Sequence, residues 1–437
     1  MQLRSGAVMT LYILAAIVIC IILGYTTKIN IGLFAIAFSY LIGCFGMGLK
    51  THEIIELWPL KIFFVIFAVT LFYNFPLANG ALEKLSNHLI YRCRHFPELL
   101  PLVIFFAATI VAGLGAGYYT VLATMAPMIL LLSKRTNLNL VVATLSVNYG
   151  ALAGANFITS QSGVIFRELM RGAGVANDNT FTYVLGVFAA TFLIPVIVLS
   201  IYCFFNAKNS KIAIQTIVPE PFNSKQKQSI ILIFIMMAIV LIIPISNLLM
   251  PNVEAIQFLN ARVDIGFIAI FFALISLLLK LGDEKKVIAL IPWYTLIMIC
   301  GVGMLIGLGV EIGVIYELTE WLSTNVPIWL IPILIFVISA IMSLFASTLG
   351  VVAPTLFPMV LPLAVASGLS PLLLFTCIVV GAQSSSLSPF SSGGSLMLGA
   401  SQVVIEKNKL FNALLFKAVP LDIGIGILAI LLIQLLF

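Results

Sequence analysis

Two runs of small and hydroxyl residues, Gly154-Ala-Asn-Phe-Ile-Thr-Ser-Gln-Ser-Gly163 and Ser384-Ser-Ser-Leu-Ser-Pro-Phe-Ser-Ser-Gly-Gly394, interrupt stretches otherwise apolar enough to lie in hydrocarbon. Neutral hydroxyls and amides donate to carboxylate oxygens, and hydroxyl and carbonyl oxygens also suit a hard cation such as sodium. Pro389 stands among six serines. Such backbone unwinds, and at membrane depth it survives only when buried in protein or lining a watery cavity. The hydroxyls available in the first half are Thr120, Ser146, Thr159, Ser160 and Ser162, with the amides of Asn148, Asn156 and Gln161. Ser347, Thr348, Ser384, Ser385, Ser386, Ser388, Ser391 and Ser392 serve the second half. Gly113 and Gly117, like Gly150 and Gly154, have a simpler reading, because small residues four apart let membrane helices approach closely.

This donor set does not point to an enzyme. No base stands at a recognisable spacing from the mid-membrane serines, and His52, His88 and His95 have no second metal ligand nearby in sequence. Cys20, Cys44, Cys203, Cys300 and Cys377 fall in or near apolar tracts, and Cys93 lies in a polar one, so neither a zinc pattern nor a disulfide framework emerges. No cofactor is expected. Charge is absent from the breaks themselves. The closest acids are Glu168 between Arg167 and Arg171, Asp264 at the start of a span, and Asp422 after Pro420. Asp422 reads as an interfacial residue near Lys417, or as a proton carrier if the last helix starts earlier.

The elements that must position these groups are membrane helices. Of 437 residues 62% are hydrophobic and 9% charged, which describes an integral membrane protein with lipid as its surroundings. Tracts at 8–25, 31–49, 59–78, 182–206, 229–249, 263–281, 287–309 and 415–437 read as ordinary spans. The first lacks the flanks of a cleaved signal and is read as retained. Sliding Ala112–Gly163 by 231 positions lays it on Ser343–Gly394 without a gap, matching Pro127-Met128 with Pro358-Met359, Gly150-Ala151 with Gly381-Ala382, and Ser160 with Ser391. Residues 99–133 and 329–364 break at Gly113–Thr120 and Ala346–Gly350, leaving arms too short to cross, so each is expected to be a re-entrant hairpin. The expected fold is therefore all-α and polytopic: ten spans, two re-entrant hairpins and helices broken near the midplane.

Five crossings per half invert the second repeat relative to the first. That topology puts sixteen of the 22 Lys and Arg on one side, from Lys28 to Lys417, and six on the other, from Arg4 to Arg262. The crowded side reads as cytoplasmic, so both termini are expected outside. The net charge of +6 needs no nucleic-acid partner. The first repeat is 1–206, with 8–97 and 98–206 as its two parts. A polar linker, 207–228, is expected in the cytoplasm. The second repeat is 229–437, divided at 328. Segments 80–96 and 311–325 read as interfacial arms.

With its paired hairpins, paired broken helices and Ser388-Pro-Phe-Ser-Ser-Gly-Gly394, the chain resembles the ion transporter superfamily, which includes divalent anion/sodium symporters, and within it MatC-like dicarboxylate carriers. The resemblance implies an elevator, in which 98–206 with 329–437 move against a dimerising scaffold of 8–97 and 229–328. It implies a homodimer in a bacterial inner membrane carrying a small anionic solute, such as malonate or succinate, with Na+ or H+. The substrate groups it implies are Tyr119, Thr120, Asn148, Asn156, Thr159, Ser160, Ser162, Thr348, Ser386, Ser388, Pro389, Ser391 and Ser392. For a cation it implies Gly115, Gly117, Gly154, Ala346, Ser347, Ser384 and Ser385, while the candidate for a proton, read from the residues themselves, is Asp422. The hairpin tips read Gly117-Tyr-Tyr-Thr120 and Ser347-Thr-Leu-Gly350 where the symporters carry Ser-Asn-Thr. A sodium/proton antiporter of the same fold and an ion channel are the alternatives.

Overall fold

A computed structural model describes residues 2–92, 97–136, 138–206, 218–250, 252–400 and 404–435. Cys93, His95 and the first part of the linker lie outside the described residues. All regular structure among those described is helical. The first half opens with α1 (Gln2–Thr27), α2 (Ile31–Tyr40, continued as a wider π turn to Gly46), α3 (Thr51–Glu56), α4 (Leu60–Ala78) and α5 (Ala81–Arg92). Next come α6 (Leu100–Val111), α7 (Tyr118–Thr136), α8 (Leu140–Ala155), α9 (Gln161–Gly172) and α10 (Asn177–Asn206). The second half begins with α11 (Ser224–Leu249), α12 (Glu254–Arg262), α13 (Ile265–Leu278), α14 (Glu284–Ala289), α15 (Trp293–Glu311) and α16 (Val314–Asn325). It ends with α17 (Ile331–Ser343), α18 (Ala353–Leu356), α19 (Val360–Ser367), α20 (Pro371–Ser384), α21 (Ser392–Gly399), α22 (Val404–Ala413) and α23 (Val419–Gln434).

Seven helices are long and apolar enough to cross a membrane, or nine if each of two bent pairs is one span. That is fewer than the ten spans expected. The tract at 31–49 gives a 16-residue helix, capped by Asn30 at Gly32 N and ending at Gly46, and that at 263–281 gives the 14 residues of α13, capped by Asp264 at Gly266 N and set at 72° to α12. The last span differs in the other direction. It runs from Lys407 to Gln434, well before residue 415, with its lysines on an exposed face.

The duplication extends to packing detail. A Cβ on Gly150 would strike the carbonyl oxygen of Phe105, and one on Gly381 would strike that of Phe336, each pair being the other's counterpart 231 positions away. These contacts seat α8 on α6 and α20 on α17, confirming helix packing as the role of Gly150. Both α8 and α20 are buried along almost their whole length, as helices apolar all round must be. Outside this core the halves interlock: α2 packs on α15, and α13 on α4. The bend between α16 and the segment leading into α17 is 120°, yet α16 also packs against α19. Both ends of 331–367 therefore meet one helix, the geometry of a hairpin that returns to its own side. Leu82 and Leu322 are buried while Glu83 and Glu320 are exposed, so α5 and α16 are the amphipathic arms expected.

Candidate functional site

Each break is narrower than its sequence run. Helix continues to Ala155 and resumes at Gln161, and in the second repeat it continues to Ser384 and resumes at Ser392. Two tight turns fill each gap, Phe157 N to Gly154 O (3.1 Å) then Ser160 N to Phe157 O (2.8 Å), matched by Ser388 N to Ser385 O (2.9 Å) then Ser391 N to Ser388 O (2.8 Å). Gly163 and Gly394 sit so close to the carbonyls of Phe157 and Ser388 that a Cβ would collide at either. In the first hairpin the break is confined to the turn before Tyr118, with Gly115 and Gly117 at φ +99° and +71°, conformations that favour glycine. Tyr118, Tyr119 and Thr120 thus form the first turn of α7.

The breaks and hairpin tips meet at one cavity of ≈ 40 Å³. Its walls include Tyr118 and Tyr119, Ser347 to Leu349, Ser162, and Ser392 with Gly393. Each set belongs to the start of a helix: α7, the π turn Thr348–Val352 that leads into α18, α9, and α21. Four N-termini, with their positive dipole ends, therefore surround a space with no charged side chain. The volume is about that of one or two waters. A C3 or C4 dicarboxylate enters only if the hairpin tips separate.

A polar network fixes these walls. Tyr118 donates to Asn148 Oδ1 (2.8 Å), and Asn148 Nδ2 donates to Ser386 Oγ (3.0 Å). Tyr119 of the first hairpin tip shares the cavity wall with Ser347 of the second and with Ser392. Asn156 and Gln383 exchange amide bonds of 3.0 Å in both directions, linking the two broken helices. Ser391 caps α21 by accepting from Gly394 N (3.2 Å) and donates to Ser386 O (2.6 Å).

Of the expected substrate groups the cavity gathers Tyr119, Ser162, Thr348, Ser386, Ser391 and Ser392, together with Ala346 and Ser347 from the expected cation set. Asn148 and Asn156 stand behind it as network residues. Ser160 donates to Ala112 O (2.7 Å) and Ser384 to Gly381 O (2.7 Å), so both hydroxyls are engaged in backbone support. Thr159 Oγ1 and Ser385 Oγ are buried without a partner. Thr120, Ser388, Pro389, Gly115, Gly117 and Gly154 do not line the cavity. Gly115 packs on the ring of Tyr73, Gly117 on Gln161, and Gly154 on the carbonyl of Thr109. Tyr118, Ser343 and Gln383 were not among the expected groups; for Gln383 the available signal was a lone amide just before the serine run.

Asp422 is buried in the protein. Because the last helix starts early, this residue falls well inside it, 5% exposed, where Oδ1 accepts from Tyr149 (2.8 Å) and Oδ2 has no partner. Glu168 is buried at the end of α9 and ion-paired with Arg171. No group of His, Cys, Asp and Glu among the described residues could hold a metal ion.

An all-helical protein with helices of membrane-spanning length and paired broken helices around an uncharged cavity has the architecture of a transporter. The family model of the dicarboxylate carrier protein MatC N-terminus matches residues 8–155, ending at the last residue of α8. The Alcanivorax borkumensis YdaH transporter, whose crystal structure is described as revealing an unusual topology, shares the fold at a TM-score of 0.60. The two chains are 15% identical over 88% of this chain and 87% of that one. No curated protein matches by sequence. The resemblance to MatC-like carriers is thus borne out.

Proposed function

We propose that the chain is a secondary active transporter that binds a small dicarboxylate, of the malonate or succinate class, in the cavity between the hairpin tips and carries it with a coupling cation. The convergence of four helix N-termini on an uncharged space carries this reading. Each end favours an anion by about 0.3–1 kcal/mol, so four give about 1–4 kcal/mol without a lysine or arginine. Hydroxyls of Ser162, Ser347, Thr348 and Ser392 add directed donors to two carboxylates. The match to a dicarboxylate carrier model supports the same class.

Movement is proposed to be of the elevator kind, with 98–206 and 329–437 sliding as one unit against 8–97 and 229–328. The packing favours this division, because α6 with α8 and α17 with α20 are the tightest pairs of one unit, and α2 with α15 and α4 with α13 those of the other. Homodimerisation of the scaffold, a bacterial inner membrane, termini outside and a cytoplasmic 207–228 complete the proposal, the orientation resting on the asymmetry of basic residues.

The experiment is uptake of labelled malonate and succinate into proteoliposomes, with an inward sodium gradient and separately with a pH gradient. Saturable uptake driven by either supports the reading. Conductance without saturable exchange would identify a channel, and sodium-induced proton movement without carboxylate uptake an antiporter.

A further inference from the structure

Behind the candidate substrate cavity lies a second one, also ≈ 40 Å³, that holds a single carboxylic acid. Its walls come from α8, α10, α20 and α23, and Leu152 and Gln383 line both cavities. Asp422 projects into it from α23. One oxygen is held by Tyr149 at 2.8 Å, and the other, Oδ2, is buried and unpartnered. Within hydrocarbon such an acid is costly and marks an ion or proton path.

We propose that Asp422 is the proton-coupling residue of this transporter, loading H+ at Oδ2 on one side of the membrane and releasing it on the other in step with the carboxylate. This deepens the function proposed above and rests on it. The step is a plain proton transfer: an O–H bond forms at Oδ2 as hydronium becomes water, and the reverse occurs at release, with no redox change.

A proton fits this cavity better than sodium does. Sodium needs several oxygens at once, whereas Thr191 Oγ1 and Gln383 Oε1 each already accept from Asn156 and keep one lone pair apiece, and Ser384 Oγ is turned toward Gly381 O, to which it donates. A proton needs one oxygen, and one is open. The titratable group facing Asp422 is Tyr149 from α8, in contact, while Lys417, earlier on the same run of helix, is exposed. From α10 and α20 come only apolar side chains and the neutral Thr191, Gln383 and Ser384, and no Lys, Arg, His or second acid lines the cavity. The route to the substrate is short, since Tyr149 adjoins Asn148, which holds Tyr118 and Ser386 on the other cavity's wall.

The test uses the full chain in proteoliposomes with labelled malonate as probe and no sodium present. Wild type is expected to accumulate malonate when the outside is acid, its uptake rising by up to about tenfold per pH unit where proton loading limits the rate. D422N is expected to lose this accumulation and show a flat pH profile, while exchange of labelled for unlabelled malonate persists. In case D422N fails to fold, Y149F provides a second readout, because loss of the phenol donor must move the midpoint of the pH profile. A D422N protein that still accumulates with normal pH dependence, or a Y149F protein with an unmoved midpoint, overturns the assignment. In a second arm with an inward sodium gradient, accumulation driven by sodium and indifferent to pH overturns it as well, leaving the transporter reading intact. Absence of any malonate exchange in wild type sinks the transporter reading itself.

Discussion

Replacing Gln383 with leucine should cost stability that a second substitution at Asn156 gives back. The two amides trade hydrogen bonds of 3.0 Å in each direction, and Asn156 gives its other proton to Thr191 Oγ1 at 3.1 Å. Both residues are buried. Q383L removes two bonds worth about 0.5–1.5 kcal/mol each and strands Asn156 Oδ1, a further penalty of about 1–3 kcal/mol. Polar contacts between membrane helices run weaker, averaging ~0.6 kcal/mol, so a total of about 1–3 kcal/mol is expected. N156L/Q383L removes both partners and leaves neither stranded, so it should be less destabilised than the sum of the singles by about 0.5 kcal/mol or more. Unfolding of purified protein in mixed micelles measures all four corners of the cycle. Single-mutant effects that add within about 0.3 kcal/mol would show that the bridge between the broken helices carries no coupling and refute the reasoning.

Other outcomes follow from individual contacts. Gly393→Ala would drive a Cβ into the Tyr118 hydroxyl and the Ser386 carbonyl, so malonate affinity should fall about tenfold or more, whereas Gly399→Ala, with nothing near it, should not change binding. Ser391→Ala should remove about 1 kcal/mol of capping from α21 and weaken transport with expression intact, and Ser388→Ala should act in the same direction more mildly. A cysteine pair at Met298 and Gly350, in a background without native cysteines, joins the proposed scaffold to the second hairpin at a point where the two already touch. Oxidation should stop exchange and reductant restore it; undiminished exchange in the crosslinked protein would rule out sliding.

Much of this architecture was legible because the residues that shape backbone recur. The offset of 231 pairs Gly150 with Gly381 and Gly163 with Gly394, and each pair performs the same close approach to the same counterpart carbonyl. The serine-proline run located a broken helix correctly but too broadly. Gly154 and Ser162 are small enough to continue the helices on either side, where packing decides the matter, so only 156–160 and 385–391 unwind. The early start of the last helix was hidden because Lys407, Lys409 and Lys417 interrupt the apolar pattern; they lie on an exposed face of a continuous run of helix. The partners of Gln383 and Tyr149 were not legible, since Asn156 and Asp422 are 227 and 273 residues away.

The central claim is that a dicarboxylate sits among the four helix ends. Ser347→Cys places a thiol on the cavity wall, and the rate of its alkylation by a small reagent in the proteoliposome-embedded protein can be followed as malonate is added. Saturable protection, over the same concentration range that supports exchange, is the predicted result. Alkylation at an unchanged rate while malonate is being exchanged would place the substrate elsewhere and contradict the account.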